Sequence, residues 1–369
     1  NIKLGVDPTS PDLHLGHAVP LRKMRQFQDL GHNVTLIIGN GTALIGDPSG
    51  RNSTRPQLSR EQIKVNAETY VNQAFKILDP EKTTLRYNSE WILSLNMEEL
   101  LKLMAQFTVA RILERDDFHN RYTSNLPISL HEFMYPVMQA YDSVVIKADV
   151  ELGGTDQLFN LLAGRELMEK LGMEPQVCLT LPLLEGTDGV KKMSKSYGNY
   201  IGLTDEPSDM FGKVMSIPDE LMVKYYRLAS TESVSAIDEI EAGLANDELH
   251  PNKVKRALAR NIVAAYYDEE QANAAEEQFD LVFKKHDVPD DIAEYTPDLT
   301  PNEEGLVYLA KIIHDAGLAQ SVGEARRLID GGGVKLNGDA VAPKVYNVEP
   351  EKLKDCVLQV GKRKFIKLV

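Results

Sequence analysis

Short β-branched runs alternate with amphipathic stretches through the first half of the chain. Lys3–Asp7 and Val34–Gly39 predict strands, with a helix over Leu15–Leu30 between them. Glu61–Leu78 and Met97–Glu114 carry apolar positions at helical spacing. Asp149–Leu152 predicts a short strand, Asp156–Leu171 a helix and Val177–Leu184 another strand. Such alternation predicts an α/β domain with a parallel sheet over residues 1–215. Ligands of open parallel sheets sit beyond the carboxyl ends of the strands. Chemistry is therefore expected just after Asp7, Gly39, Leu152 and Leu184. Pro20 falls inside the first helix and removes a backbone donor, so a kink or a shifted helix start is expected there.

From 216 to 286 the pattern is helical throughout, as in Asn252–Tyr267 and Glu269–Lys285. Asp287–Gly305 then holds Pro289, Pro297 and Pro301, seven acids and no Lys or Arg. It can bury little, and 287–304 reads as a linker. Residues 305–369 form a last, smaller α+β domain. Leu306–Ala316 predicts a helix. Ser321-Val322-Gly323-Glu324 reads as a capping box, in which the Ser accepts from the Glu amide while the Glu reaches back. The helix runs through Ile329 and closes at Gly331-Gly332-Gly333, followed by a strand Val334–Leu336 and a turn at Asn337-Gly338.

A chain of 369 residues exceeds one ordinary domain. No apolar run approaches the roughly 18 residues of a membrane span, so no membrane association is expected. The start, Asn1-Ile2-Lys3-Leu4-Gly5, is no signal peptide and lacks Met, and further residues are expected upstream. Two distant cysteines, Cys178 and Cys356, make neither a disulfide framework nor a zinc site and fit a reducing cytoplasm. The formal net charge of -14 argues against indiscriminate nucleic-acid binding. Yet residues 301–369 hold 11 Lys and Arg against 9 Asp and Glu, with Lys362-Arg363-Lys364 and Lys367 at the end. That local excess is either a solvated face or a footprint for RNA.

Two motifs carry the sharpest chemistry. His14-Leu15-Gly16-His17 lies between a strand and a helix, where backbone amides favour phosphate. Its histidines are three apart, on one face of the first turn, and Gly16 lets a nucleotide approach the backbone. A metal site would need a third ligand that is not evident, and a plain capping role stays open. Lys191-Lys192-Met193-Ser194-Lys195-Ser196 follows a strand and the turn Gly186-Thr187-Asp188-Gly189. Two lysines three apart on a loop suit a departing pyrophosphate.

Taken together, these motifs resemble the two signatures of the class I aminoacyl-tRNA synthetases. Asp7-Pro8-Thr9, Gly46-Asp47-Pro48-Ser49-Gly50, Tyr135-Pro136-Val137-Met138-Gln139-Ala140-Tyr141-Asp142 and Gly153-Gly154-Thr155-Asp156-Gln157 look like blocks of the tyrosyl-tRNA synthetases. From Gly305 on, Ala325-Arg326-Arg327-Leu328-Ile329 and Gly333-Val334-Lys335-Leu336-Asn337-Gly338 resemble the S4 RNA-binding module. The resemblance implies a Rossmann-like catalytic domain, a helical anticodon-side domain and an S4-like domain. It implies L-tyrosine, ATP and tRNA(Tyr) as partners, Mg2+ carried by ATP with no protein-bound metal, and a homodimer.

By the same resemblance, Thr9, His14, His17, Lys192 and Lys195 act in catalysis. Asp47, Tyr135 and Gln139 surround the tyrosine ammonium, Asp142 meets the phenol and Gln157 the carboxylate. Gly5, Asp7, Gly16, Gly154, Asp156, Met193 and Ser194 contact ATP or the adenylate, and Arg326, Arg327 and Lys335 contact tRNA. Tyr135, Gln139 and Asp142, spaced four and three apart, share one face if the segment is helical. In the best-known bacterial branch a tyrosine stands four residues before the motif Asp. Here that position is Lys3, so the phenol site must differ, and the blocks resemble a second bacterial branch with an intact Lys-Met-Ser-Lys-Ser. Lys3 either keeps Asp142 ionised or is a solvated edge residue.

Other readings fit less well. Gly41-Thr42-Ala43-Leu44-Ile45-Gly46 imitates a P-loop but is followed by Asp47, not Lys. Gly39-Asn40-Gly41 lacks the third glycine of a dinucleotide fingerprint. A non-catalytic S4-type paralogue would not need both histidines and both lysines. A tryptophanyl-tRNA synthetase is the nearest rival, and Asp142 at the phenol position argues against it.

Overall fold

The computed structural model describes residues 1–48, 58–283, 293–302, 305–361 and 364–369. Ser49 and Gly50 of the Asp47 block, residues 287–292 and 303–304 of the expected linker, and Lys362-Arg363 lie outside them. The chain divides into two compact units, Asn1–Ala272 and Asn273–Val369.

The first unit is built on five parallel strands: β1 Ile2–Val6, β2 Val34–Ile38, β3 Thr83–Tyr87, β4 Val150–Gly154 and β5 Val177–Leu181, in the order β3-β2-β1-β4-β5. Every residue of β2 is buried, because helices cover both faces of such a sheet. The order reverses between β1 and β4, which is where an open α/β sheet leaves a crevice for ligands. This is the Rossmann-like arrangement expected.

Thirteen α-helices are numbered among the described residues up to Phe283. They are α1 Leu15–Asp29, α2 Arg60–Ala74, α3 Ser89–Ile92, α4 Met97–Met104, α5 Val109–Ile112, α6 Asp116–Thr123, α7 Met134–Ile146, α8 Leu158–Lys170, α9 Pro207–Met215, α10 Met222–Ala229, α11 Val234–Ala245, α12 Pro251–Tyr266 and α13 Glu269–Phe283. Val137, Met138 and Ala140 of α7 pack with Ala163 and Leu167 of α8 and Leu103 of α4. That core fixes which face of α7 looks toward the sheet.

Three expectations change here. The helix expected over Met97–Glu114 is two, α4 and α5, because Thr108 caps the second by accepting from the Arg111 amide at 3.2 Å. The helix expected from Asp156 opens with a 3-10 turn over Thr155–Gln157. Pro20 sits inside α1 without shifting its start, which stays at Leu15. Strand β3 had no clear signal, since its Thr83-Thr84-Leu85-Arg86-Tyr87 sequence is half polar and lies at the sheet edge.

The second unit holds β6 Glu294–Tyr295, β7 Val307–Tyr308, α14 Leu309–Asp315, α15 Val322–Asp330, β8 Val334–Leu336, β9 Asp339–Ala340, β10 Asn347–Val348, β11 Val357–Val360 and β12 Lys364–Leu368. A five-stranded sheet in the order β6-β12-β11-β8-β9 and the two helices enclose Ile312, Ile313, Ala325, Ile329, Val334 and Leu358. The helix expected from Leu306 starts later, because Val307–Tyr308 pairs with Asn347–Val348 instead. Ser321 accepts from Glu324 at 3.2 Å as expected, but the Glu324 carboxylate takes the Gln320 amide, not that of Ser321. Asn337 and Gly338 both adopt positive φ, 49° and 91°, as a tight β8–β9 turn requires.

Candidate active site

At the carboxyl ends of β1, β2, β4 and β5 lies a cavity of about 790 Å3. Every residue that the resemblance assigns to catalysis, tyrosine or ATP lines it: Gly5, Asp7, Thr9, His14, Gly16, His17, Asp47, Tyr135, Gln139, Asp142, Gly154, Asp156, Gln157, Lys192, Met193, Ser194 and Lys195. Backbone closeness makes part of this site possible. A Cβ at Gly39 would fall 1.9 Å from Asp7 Oδ1, so only glycine leaves that carboxylate its place after β1.

One end of the cavity is built on α7, which does align Tyr135, Gln139 and Asp142. Asp142 is buried. Trp91 Nε1 of α3 donates to it at 2.8 Å, and Asn88 Nδ2, from the turn between β3 and α3, at 3.3 Å. Burial pushes its carboxyl up to about 6, against the lowering effects of the Lys3 ammonium and the two donors. Tyr135 donates its hydroxyl to Asp7 Oδ2 at 2.9 Å, and Thr42 donates to Asp7 Oδ1 at 2.7 Å. Burial, with repulsion from Asp47 and Asp142, still raises Asp7 to about 7.

Asp47 is held by Arg115 Nη2 and by Gln157 Nε2, each at 3.0 Å. Arg115 in turn donates to Asn160 Oδ1 at 3.0 Å and pairs with Asp117 at 2.8 Å. Asn160 Nδ2 donates to both Gln139 Oε1 and Gln157 Oε1, at 2.9 Å each. Arg115, Asn160, Asn88 and Trp91 were not identified from the sequence. Trp91 is the only tryptophan of the chain, which was the one available signal.

At the other end His14 and His17 stack with ring centroids 3.9 Å apart. The His14 amide donates to His17 Nδ1 at 3.3 Å, so the pair shapes the helix start as well as facing the cavity. Burial, with the nearby lysines, holds both imidazoles neutral: His14 is pushed down to about 2 and His17 to about 4. The Lys192–Lys195 loop closes this end. Met193 is buried and its amide donates to Leu184 at 2.8 Å, while Ser194 donates its amide to Asn199 at 2.9 Å. Lys192 pairs with Asp156 at 2.9 Å and Lys195 with Asp12 at 2.5 Å. Asp12 lies in the loop between Thr9 and His14, where the sequence assigned it no role.

Lys3 does not line the cavity and is no edge residue: it sits on the central strand with a side chain 1% exposed. In the second unit Arg326 and Arg327 are exposed on α15 and Lys335 is half-buried on β8. Arg326 stacks over the Tyr346 ring at 4.4 Å. Cys178 and Cys356 are both free. Among the described residues no group of three or more His, Cys, Asp or Glu could hold a metal ion, and no helix is long and apolar enough to cross a membrane.

The family of class I tRNA synthetases (W and Y) matches residues 1–284. The chain belongs to that family. The S4 domain matches residues 309–351. Among relatives of this synthetase family, the tyrosine–tRNA ligase of Moorella thermoacetica is 53% identical over 100% of this chain and 87% of its own. That of Desulfotalea psychrophila is 50% identical over 100% of this chain and 89% of its own. Solved class I synthetases share the fold at lower identity. A truncated mitochondrial tyrosyl-tRNA synthetase of Aspergillus nidulans superposes with a TM-score of 0.64 at 24% identity, over 76% of this chain and 85% of that one. The tryptophanyl-tRNA synthetase of Plasmodium falciparum gives 0.57 at 18%, over 74% and 76%.

Proposed function

We propose that this chain is a tyrosine–tRNA ligase, which activates L-tyrosine with ATP and transfers it to tRNA(Tyr). The observation that carries the amino-acid identity is whole-chain identity of 50–53% to tyrosine–tRNA ligases. Asp142 supports it as a buried acceptor for the phenol hydroxyl at the α7 end of the cavity. Asp47, Tyr135 and Gln139 receive the ammonium, and Gln157 the carboxylate.

The tyrosine carboxylate attacks the α-phosphate of ATP in line, the bond to the β-phosphate bridge breaks, and pyrophosphate leaves. Such transfer depends on positioning and on neutralising charge rather than on a nucleophilic side chain. Lys192 and Lys195 neutralise the departing phosphates, while His14 and His17, held neutral, donate hydrogen bonds without adding charge. Asp156 takes the ribose once ATP draws Lys192 away. Gly5, Asp7, Thr9, Gly16, Gly154, Met193 and Ser194 border the nucleotide, and Mg2+ enters with ATP.

We assign 1–215 to catalysis, 216–286 to the anticodon side of tRNA and 305–369 to tRNA binding through Arg326, Arg327 and Lys335. We assign the chain to the second bacterial branch on its intact Lys192-Met193-Ser194-Lys195-Ser196, and its work to the cytoplasm. A homodimer is supported by exposed apolar side chains clustered in one stretch, among them Met97, Leu101, Val109, Tyr122 and Leu130. Charging of tRNA with labelled tyrosine tests the central reading; equal charging with tryptophan contradicts it.

A further inference from the structure

Beside Asp142 lies an ion pair that touches neither the cavity nor solvent. Lys3 and Glu151 are register partners on β1 and β4, so their side chains leave the sheet side by side on one face. They are 1% and 2% exposed, with Nζ 3.2 Å from Oε1. An ammonium has three donors, and three acceptors surround it: Glu151, Ser143 Oγ at 2.6 Å and the Gln139 carbonyl at 3.3 Å. Glu151 also accepts from Gln139 Nε2 at 3.1 Å, from Ser143 Oγ at 3.2 Å and from Gln176 Nε2. The pair thus grips α7 at positions 139 and 143, on either side of Asp142.

A well-packed apolar pair would stabilise a sheet interior as well as a buried ion pair does, since desolvation offsets the attraction between the charges. Charge balance gives this one a use. Lys3 pairs with one buried carboxylate, Glu151, and its charge also acts on a second, Asp142. We propose that Lys3 is a positioning residue for amino-acid selection, keeping Asp142 as the carboxylate that accepts the substrate hydroxyl while Glu151 orients the Gln139 amide. This rests on reading Asp142 as the phenol partner. Without Lys3, two carboxylates share a buried site with no cation paired to either, and one takes up a proton. A protonated Asp142 offers a donor where an acceptor is needed.

Burial is the largest influence on Asp142, and Lys3 is the foremost charge opposing it, with Glu151 acting the other way. Asp7 is a further charge facing it, and Asn88 and Trp91 bring it neutral donors. Asp7 titrates in every variant and acts on tyrosine and phenylalanine alike, so the ratio of the two substrates isolates Asp142.

The test measures kcat/KM for tyrosine and for phenylalanine against pH in the full chain, in Lys3→Met, Glu151→Gln, the double variant and Asp142→Ala. The tyrosine/phenylalanine ratio falls on acidification. Lys3→Met moves that midpoint up by about one pH unit or more, and Glu151→Gln moves it down. The double variant, which strands no charge, folds and keeps a midpoint above that of the unmodified protein. Unmoved midpoints in folded single variants, or a double variant restored to the original midpoint, overturn the proposal. Asp142→Ala separates the two layers. A ratio it leaves intact removes the hydroxyl assignment itself, whereas a ratio it abolishes, with unmoved midpoints at Lys3 and Glu151, removes only the pair.

Discussion

Lys195 reaches Asp12 and Lys192 reaches Asp156 across the cavity mouth, each with its charge already matched. An incoming triphosphate competes with those carboxylates and draws both ammonium groups toward the leaving group. Lys195→Ala should therefore slow single-turnover adenylation by about 10²-fold while tyrosine affinity stays nearly constant; an unchanged rate would remove Lys195 from the transition state. Asp142→Ala should cost tyrosine about 10- to 100-fold more in kcat/KM than it costs phenylalanine, the worth of one hydrogen bond to a charged group. Raised acids also bear on stability. Asp142 prefers its proton in the folded state, so its contribution is present below about pH 4 and is lost as pH rises through about 6. Asp142→Asn should gain on the unmodified protein across that window, by at most about 3 kcal/mol in denaturant titrations; a gap that does not widen with pH would place the true value near 4. The residues legible in the sequence are those in contiguous motifs. Arg115, Asn160 and Asn88 stand singly, on separate elements, and nothing in their local spacing marks them. One argument from sequence fails outright: Trp91 donates its own indole N–H to Asp142 at 2.8 Å, so a carboxylate there does not by itself exclude tryptophan.

At the scale of elements, periodicity located the central strands and the long helices because their burial is continuous. It failed where tertiary contacts decide. The β3 edge strand is half polar, the Met97–Glu114 stretch breaks at a Thr cap, and Val307–Tyr308 is claimed by a partner 40 residues on. The Lys3–Glu151 pair had a signal that periodicity discards: one charge of each sign in runs with no other polar side chain, Ile2–Val6 and Val150–Gly154. Helix α7 ends on Lys147, an exposed residue at φ 51°, where an L side chain is strained. Lys147→Gly should raise stability by about 0.5–1 kcal/mol, read as a higher thermal midpoint with tyrosine kinetics unchanged; a lower midpoint would show that the side chain contributes more than the backbone strain costs.

At the scale of the molecule, the chain separates into a unit that carries the cavity and a unit that carries the S4 match. The local charge excess of residues 301–369 suits a polyanion, against a remainder that is net acidic. A truncation ending near Asp298 should keep tyrosine activation and lose most tRNA charging; a folded truncation that loses activation would tie the second unit to the chemistry. Both outcomes depend on the first step being what the cavity implies. The most direct measurement is ATP–pyrophosphate exchange by the purified chain with each amino acid in turn. Exchange that requires tyrosine and is absent with tryptophan and nearly absent with phenylalanine is the result this account predicts, and exchange supported equally by tryptophan, or by no amino acid at all, would contradict it.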